Sequence, residues 1–198
     1  MVDVLPLVEA RLRTALGEPD ARASITFLGT DRIEVLRFRD DSQEGAVVRY
    51  ATLGMSAQPM TEPTAMLADP LKGPRAELIL SVRGGIADTD KVLRPLAVLG
   101  ASPQVEGVVV APGASLDVGG ALWPGAPFTS VLVAEPGGLV EDLDLDEPLD
   151  PVRFLPLLPM TANEAAWKRV HGAQALQELW LTNGTDLRDP SRRSVPLD

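Results

Sequence analysis

The sequence predicts an α+β domain, a mixed or antiparallel sheet flanked by three or four helices. Three observations lead there. Short runs with alternating or β-branched apolar residues recur between Gly, Pro and Asp turns. A few longer runs instead place apolar residues at helical spacing and carry capping signals. No period of 20–50 residues repeats, and no linker separates two compositions, so 1–198 reads as one domain with its core at about 24–195.

In chain order, 4–17 is the first helix. Leu5, Val8, Leu12, Ala15 and Leu16 form its stripe, and Gly17 stops it. Ser24–Leu28 and Ile33–Phe38 flank a turn at Gly29–Asp31 and read as a hairpin. A polar turn at Asp40–Gly45 leads to a strand at Ala46–Thr52. Residues 57–73, with Pro59, Pro63, Pro70 and Pro74 at the boundary, read as an irregular loop. Arg75–Val82 alternates. Ala76, Leu78, Leu80 and Val82 face inward, and Glu77, Ile79 and Ser81 take the other side of a half-buried strand.

After Gly84 and Gly85, residues 88–99 read as a helix capped by Asp88 or Thr89, with Pro95 marking a kink or a start. Gln104–Val110 reads as a strand. A loop region rich in Gly and Pro then holds Trp123 and Phe128, and Ser130–Ala134 is the next strand. Leu139–Leu145 alternates apolar and acidic residues as a further strand, and Val152–Leu158 follows. Thr161 and Glu164 form a capping box, with Met160 as the staple onto Ala165. Trp167 and Val170 continue that helix to His171 and Gly172. A second apolar face (Leu176, Leu179, Trp180) runs to Asn183 and Gly184.

Composition narrows the function. The net charge is −10 and the pI about 4.6. Binding to phosphate backbones or anionic membranes needs Lys and Arg instead, so neither nucleic acid nor a membrane is expected as partner. Cysteine is absent, which removes disulfides, thiolate nucleophiles and cysteine-based zinc sites. No basic, apolar leader and no run near the ~20 residues of a membrane span is visible, so the cytoplasm is reached by elimination.

Candidate chemistry is thin. Glu141, Asp142, Asp144, Asp146, Glu147 and Asp150 crowd one stretch. Asp142, Asp144 and Asp146 are spaced like a calcium loop, but Glu147 stands where the turn glycine is needed and Arg153 where the bidentate Glu belongs. A solvated acidic strand face or a protein-docking patch fits better, with Leu143 and Leu145 facing in. His171 is the lone histidine and sits at a helix end, where a cap or surface role is ordinary. No phosphate-binding glycine loop or nucleophile elbow occurs, and nothing selects one pair of carboxylates for acid–base work.

Four stretches nevertheless resemble one family. Thr52, Gly54 and Ser56 in YATLGMS match the strand-end T-x-G-x-S signature of the Suppressor of fused family, and ELIL from Glu77 follows in a strand, as it does there. The run LLPMTANE from Leu157, with Gly172 and Leu176, resembles its late strand–helix segment. Arg192 and Ser194 resemble its closing R-x-S. The resemblance implies a Suppressor of fused-like α+β domain that binds proteins, with no catalytic residues, cofactor or metal. The animal relative is a two-domain inhibitor that holds transcription factors, and no partner-binding residue carries over from it. For bacterial members, the resemblance implies immunity proteins that neutralise toxins, and the Ala, Arg, Pro and Gly usage fits a GC-rich bacterium.

The expected partner is therefore a protein, such as a basic toxin domain. Glu141, Asp142, Asp144, Asp146 and Trp123 are the expected contact residues. A regulatory or scaffold role unrelated to toxins is the alternative, and an enzyme using a carboxylate pair or His171 is a third.

Overall fold

The computed structural model describes residues 2–42 and 45–198. Its elements are α1 (Leu5–Leu16), β1 (Ala21–Thr26), β2 (Arg32–Asp40), β3 (Val47–Leu53), β4 (Arg75–Arg83), α2 (Leu93–Glu106), β5 (Ser115–Asp117), β6 (Phe128–Val133), β7 (Val152–Thr161), α3 (Ala162–His171) and α4 (Ala173–Thr182). One-turn 3-10 segments precede β4 at Met55–Ala57 and α2 at Asp90–Val92. The predicted turn at 40–45 falls partly on Gln43 and Glu44, outside the described residues.

The strands form one sheet in the order β1-β2-β3-β4-β7-β6-β5. Every pairing is antiparallel except β4–β7, which is parallel from Arg75↔Val152 to Leu80↔Leu157. The long crossover from β4 to β7 carries α2, β5 and β6, and it leaves β4 in the middle of the sheet. Both faces are covered. α2 and the loops around Trp123 pack on one face over Val35, Tyr50, Leu78, Leu80 and Leu155. On the other face, α1 brings Val8 and Leu12 onto Leu36, Phe38, Ile79 and Phe154. At the β6–β7 end, α3 and α4 cover Leu132 and Met160 with Ala165, Leu176 and Trp180.

The central place of β4 corrects the half-buried assignment of that strand. Residues 75–80 are buried on both sides, Glu77 completely so. Two further expectations change. Residues 104–106 are the last turn of α2 rather than a strand, and Val108–Val110 adopt no regular structure. The β-branched run misled, because Gly107 at φ 67 closes the helix before it. Pro103 is tolerated inside α2. The Leu99 carbonyl that its missing N–H would have met accepts the Ser102 hydroxyl at 2.7 Å. Pro95 sits in the first turn of α2, where a backbone N–H has no helical partner in any case. Residues 139–145 form no strand and join the sheet through a single bridge, Leu143↔Val152, so the predicted acidic strand is reduced to one pairing.

Gly54 links β3 to the 3-10 turn at φ 136, and a Cβ there would lie 2.5 Å from the Arg32 carbonyl. Gly54→Ala therefore combines a clash with backbone strain, and we expect it to cost about 2–3 kcal/mol in chemical denaturation.

Candidate functional site: an acidic-rimmed groove, and two buried carboxylates

The acidic stretch predicted from sequence is exposed at Glu141, Asp142, Asp144 and Asp146, with Leu143 and Leu145 turned partly inward against the α1 core. Arg11 of α1 holds it from behind, donating to the carbonyls of Glu141 (3.4 Å) and Asp142 (3.1 Å). Leu143 and Val152 exchange two backbone hydrogen bonds of 2.9 Å.

Asp144, Asp146 and Glu147 form one wall of a groove of about 630 Å³. The proline-rich loop forms the facing wall, and Val2, ahead of α1, and Leu7 of α1 complete the lining. The loop wall is fixed in place. Asp69 accepts the N–H groups of Leu71 (2.8 Å) and Lys72 (3.1 Å), which hold its carboxyl below the ordinary range. Gly73, at the end of the loop, donates to Asp150 at 3.0 Å. Pro59, Pro70, Leu71, Leu145, Pro148 and Leu149 make the lining mostly apolar.

At the base lies Arg75, 3% exposed. Its guanidinium donates to the carbonyls of Ser56 (2.9 Å), Ala57 (3.1 Å) and Leu71 (3.4 Å), and its Nε meets no hydrogen-bond partner among the described residues. Sequence reasoning found the acids but missed Arg75 and the loop wall. The available signal was a proline-rich loop that also carries Met66, Leu67 and Leu71, more apolar surface than a solvated loop needs.

The structure does not bring Trp123 to this groove. That ring is 2% exposed, in the α2-side core, edge-on to Phe128 at 5.8 Å. A partner cannot reach the side chain in this fold. His171 is exposed at the end of α3. It stacks on Trp167 with ring centroids 3.9 Å apart, and its Nδ1 donates to the Trp167 carbonyl at 3.0 Å. Among the described residues no cluster of His, Asp or Glu is arranged to hold a metal ion, and no helix is long and apolar enough to cross a membrane.

Buried carboxylates do occur, and both are held by the stretches that resembled the family signatures. Glu77 is 0% exposed. One oxygen accepts the N–H groups of Gly54 (2.9 Å) and Ser56 (3.0 Å) and the Ser56 hydroxyl (2.6 Å), while the other accepts the Thr52 hydroxyl (2.6 Å). The T-x-G-x-S pattern is thus a cradle for one carboxylate, each of its three fixed residues supplying a donor. Burial pushes the Glu77 carboxyl up, against the pull of these donors.

Glu164 is also fully buried. It completes the α3 capping box by accepting the Thr161 N–H at 2.9 Å. It further accepts Arg192 through both terminal nitrogens (2.9 and 3.0 Å), the Trp180 indole N–H (2.7 Å) and the Val195 N–H (3.3 Å). Ser194, the last residue of the R-x-S pattern, pairs its hydroxyl with that of Thr161. Burial alone would raise the Glu164 carboxyl, but the Arg192 guanidinium and the two N–H donors outweigh it and hold it low.

These arrangements are structural, and the comparisons agree with where the signatures fall. A search of curated proteins gave no match. Among solved structures, a Suppressor of fused homologue from Neisseria gonorrhoeae FA 1090 superposes with a TM-score of 0.73 at 17% identity, covering 99% of this chain and 98% of that one. A structure of the Sufu–Fu complex matches at a TM-score of 0.71 and 12% identity, over 96% of this chain and 91% of that chain. Drosophila Suppressor of fused matches at 0.66 and 13%, and this chain spans 50% of its length. The family model for Suppressor of fused protein matches residues 29–193, which takes in both cradles apart from the last residues of the R-x-S ending. The chain belongs to the Suppressor of fused protein family.

Proposed function

We propose that this chain is a non-catalytic protein-binding domain that neutralises a basic partner, a toxin domain, by stoichiometric binding. The observation that carries the proposal is the groove. Exposed carboxylates of Glu141, Asp142, Asp144 and Asp146 stand beside an apolar lining, the combination that steers a cationic protein and then gives it apolar surface to bury. The residues that would have suggested catalysis have structural roles instead. Glu77 and Glu164 are locked by donors, and His171 caps and stacks at a helix end. A Sufu–Fu complex exists for a protein of the same fold. That complex favours a second reading, a regulatory binding domain whose partner is not a toxin. The product of the adjacent gene separates the two readings.

Co-expression tests the first reading. Cells producing a basic toxin domain encoded beside this chain are expected to survive only when the chain is co-produced, and the two proteins are expected to co-purify one to one. Survival without a complex, or a complex without protection, counts against it.

Charge reversal is a further test. Asp142→Lys with Asp144→Lys is expected to slow association with a basic partner at least ~10-fold at low salt, and the difference should shrink as salt screens the field. The melting temperature should stay within about 2 °C, because both side chains are exposed.

A further inference from the structure

The groove constrains what part of a partner it can take, and this inference rests on the protein-binding reading above. Its volume of about 630 Å³ lies in the range of clefts that enclose a compact ligand, ~300–1,000 Å³. A standard interface of roughly 1,600 Å² could not fit inside it. It can therefore seat only a few side chains of a larger partner.

Charge is distributed in depth. Asp69, Asp144, Asp146 and Glu147 line the groove, and among the described residues Arg75 is the one cationic side chain that does so. Arg75 lies buried at the base, where its terminal nitrogens bond carbonyls and form no ion pair among the described residues. A lysine or arginine pushed to the base would meet this desolvated like charge. At the rim the same lysine would meet carboxylates. An apolar side chain suits the floor of Pro59, Leu145 and Leu149 and the more exposed Leu71 at its edge, where it is removed from water and displaces no hydrogen-bonded group.

We infer that the groove between the proline-rich loop and residues 144–149 binds a short partner segment in which apolar residues are flanked by Lys or Arg, the apolar side chains on the floor and the cations on the acidic rim.

The test uses fluorescein-labelled synthetic peptides and the full chain, read by fluorescence anisotropy at low salt. Three peptides are compared: a leucine run flanked by lysines, the same run flanked by glutamates, and a serine run flanked by lysines. The lysine–leucine peptide is expected to bind at least ~10-fold more tightly than either control, since both floor and rim contribute. Leu71→Ser should weaken it several-fold. Asp144→Lys with Asp146→Lys should reverse the charge preference, so that the glutamate-flanked peptide binds better. A gain of that kind cannot come from a damaged fold. Equal binding of the leucine and serine peptides would overturn the inference, because it would mean charge adsorption alone. So would a charge preference unmoved by the reversal, or no binding of any peptide. If a stoichiometric protein complex still forms in those cases, only the groove assignment fails. Loss of that complex as well would remove the protein-binding reading itself.

Discussion

Glu164→Ala is expected to destabilise the domain by about 3–5 kcal/mol, the range for removing one partner of a buried ion pair. At this chain length that is roughly a 10 °C fall in melting temperature. The loss is large because a single carboxylate does several jobs. It caps α3 through Thr161, neutralises the buried Arg192, satisfies the Trp180 indole and holds the Val195 N–H of the C-terminal segment. Without it the Arg192 guanidinium, packed near the Phe128 and Trp180 rings, keeps its bonds to carbonyls but loses its counter-charge. Glu164→Gln restores some hydrogen bonds but not the charge, and should lie between wild type and Ala.

The pH dependence has a definite sign. The Glu164 carboxyl titrates lower in the folded chain than its ordinary 4.5. Its stabilisation is therefore fully present above pH 4.5 and is lost as pH falls through the lower folded value. Urea denaturation from neutral pH down to about 3 should show wild type losing its advantage over Glu164→Gln in that acid window. An advantage that stays constant with pH would contradict the assignment.

Glu77 should behave in the opposite way. Glu77→Ala strips the acceptor from two hydroxyls and two backbone N–H groups in the interior, and each such group costs about 1–3 kcal/mol when left unsatisfied. Partial rearrangement should bring the total to about 3–5 kcal/mol. Glu77→Gln can keep the oxygen that accepts from Gly54 and Ser56, while its amide donates to the Thr52 hydroxyl oxygen. The folded Glu77 carboxyl is raised above its ordinary 4.5. Its contribution is fully present below pH 4.5 and declines as pH rises through the folded value, since among the described residues no cation pairs with the ionised form. The stability of Glu77→Gln relative to wild type should therefore improve as pH rises from about 4.5 toward neutrality. A relative stability that falls over that interval would show that the four donors outweigh burial.

What could be read from the chain divides by the range of the interactions. The α3 capping box was legible because Thr161 and Glu164 are three residues apart on one turn. The α1 stripe and the β1–β2 hairpin are local in the same way. The role of Glu77 was hidden, because alternation along β4 put it on the side expected to face solvent. Only the parallel pairing with β7, some 75 residues later, makes β4 a central strand rather than an edge. The end of α2 was missed because the apolar run Val108–Val110 has strand chemistry, whereas Gly107 decides the boundary. The acids of the candidate site were visible as composition. Their setting was not, because the groove forms only where three distant segments meet, and the burial of Trp123 in the core with Phe128 is equally a matter of distant contacts.

Two roles separate along this chain: the signature residues hold the fold, and in the proposal above the acidic groove carries the binding. The most direct measurement is the affinity of the lysine–leucine peptide for three proteins: wild type, Trp180→Phe, and Asp144→Lys with Asp146→Lys. Trp180→Phe removes a donor to Glu164 without touching the groove, so it should lower the melting temperature by several degrees and leave the affinity unchanged. The double reversal should leave the melting temperature unchanged and weaken binding at least ~10-fold. Weaker peptide binding by Trp180→Phe at full occupancy of the folded state, or wild-type binding by the double reversal, would contradict this separation of roles.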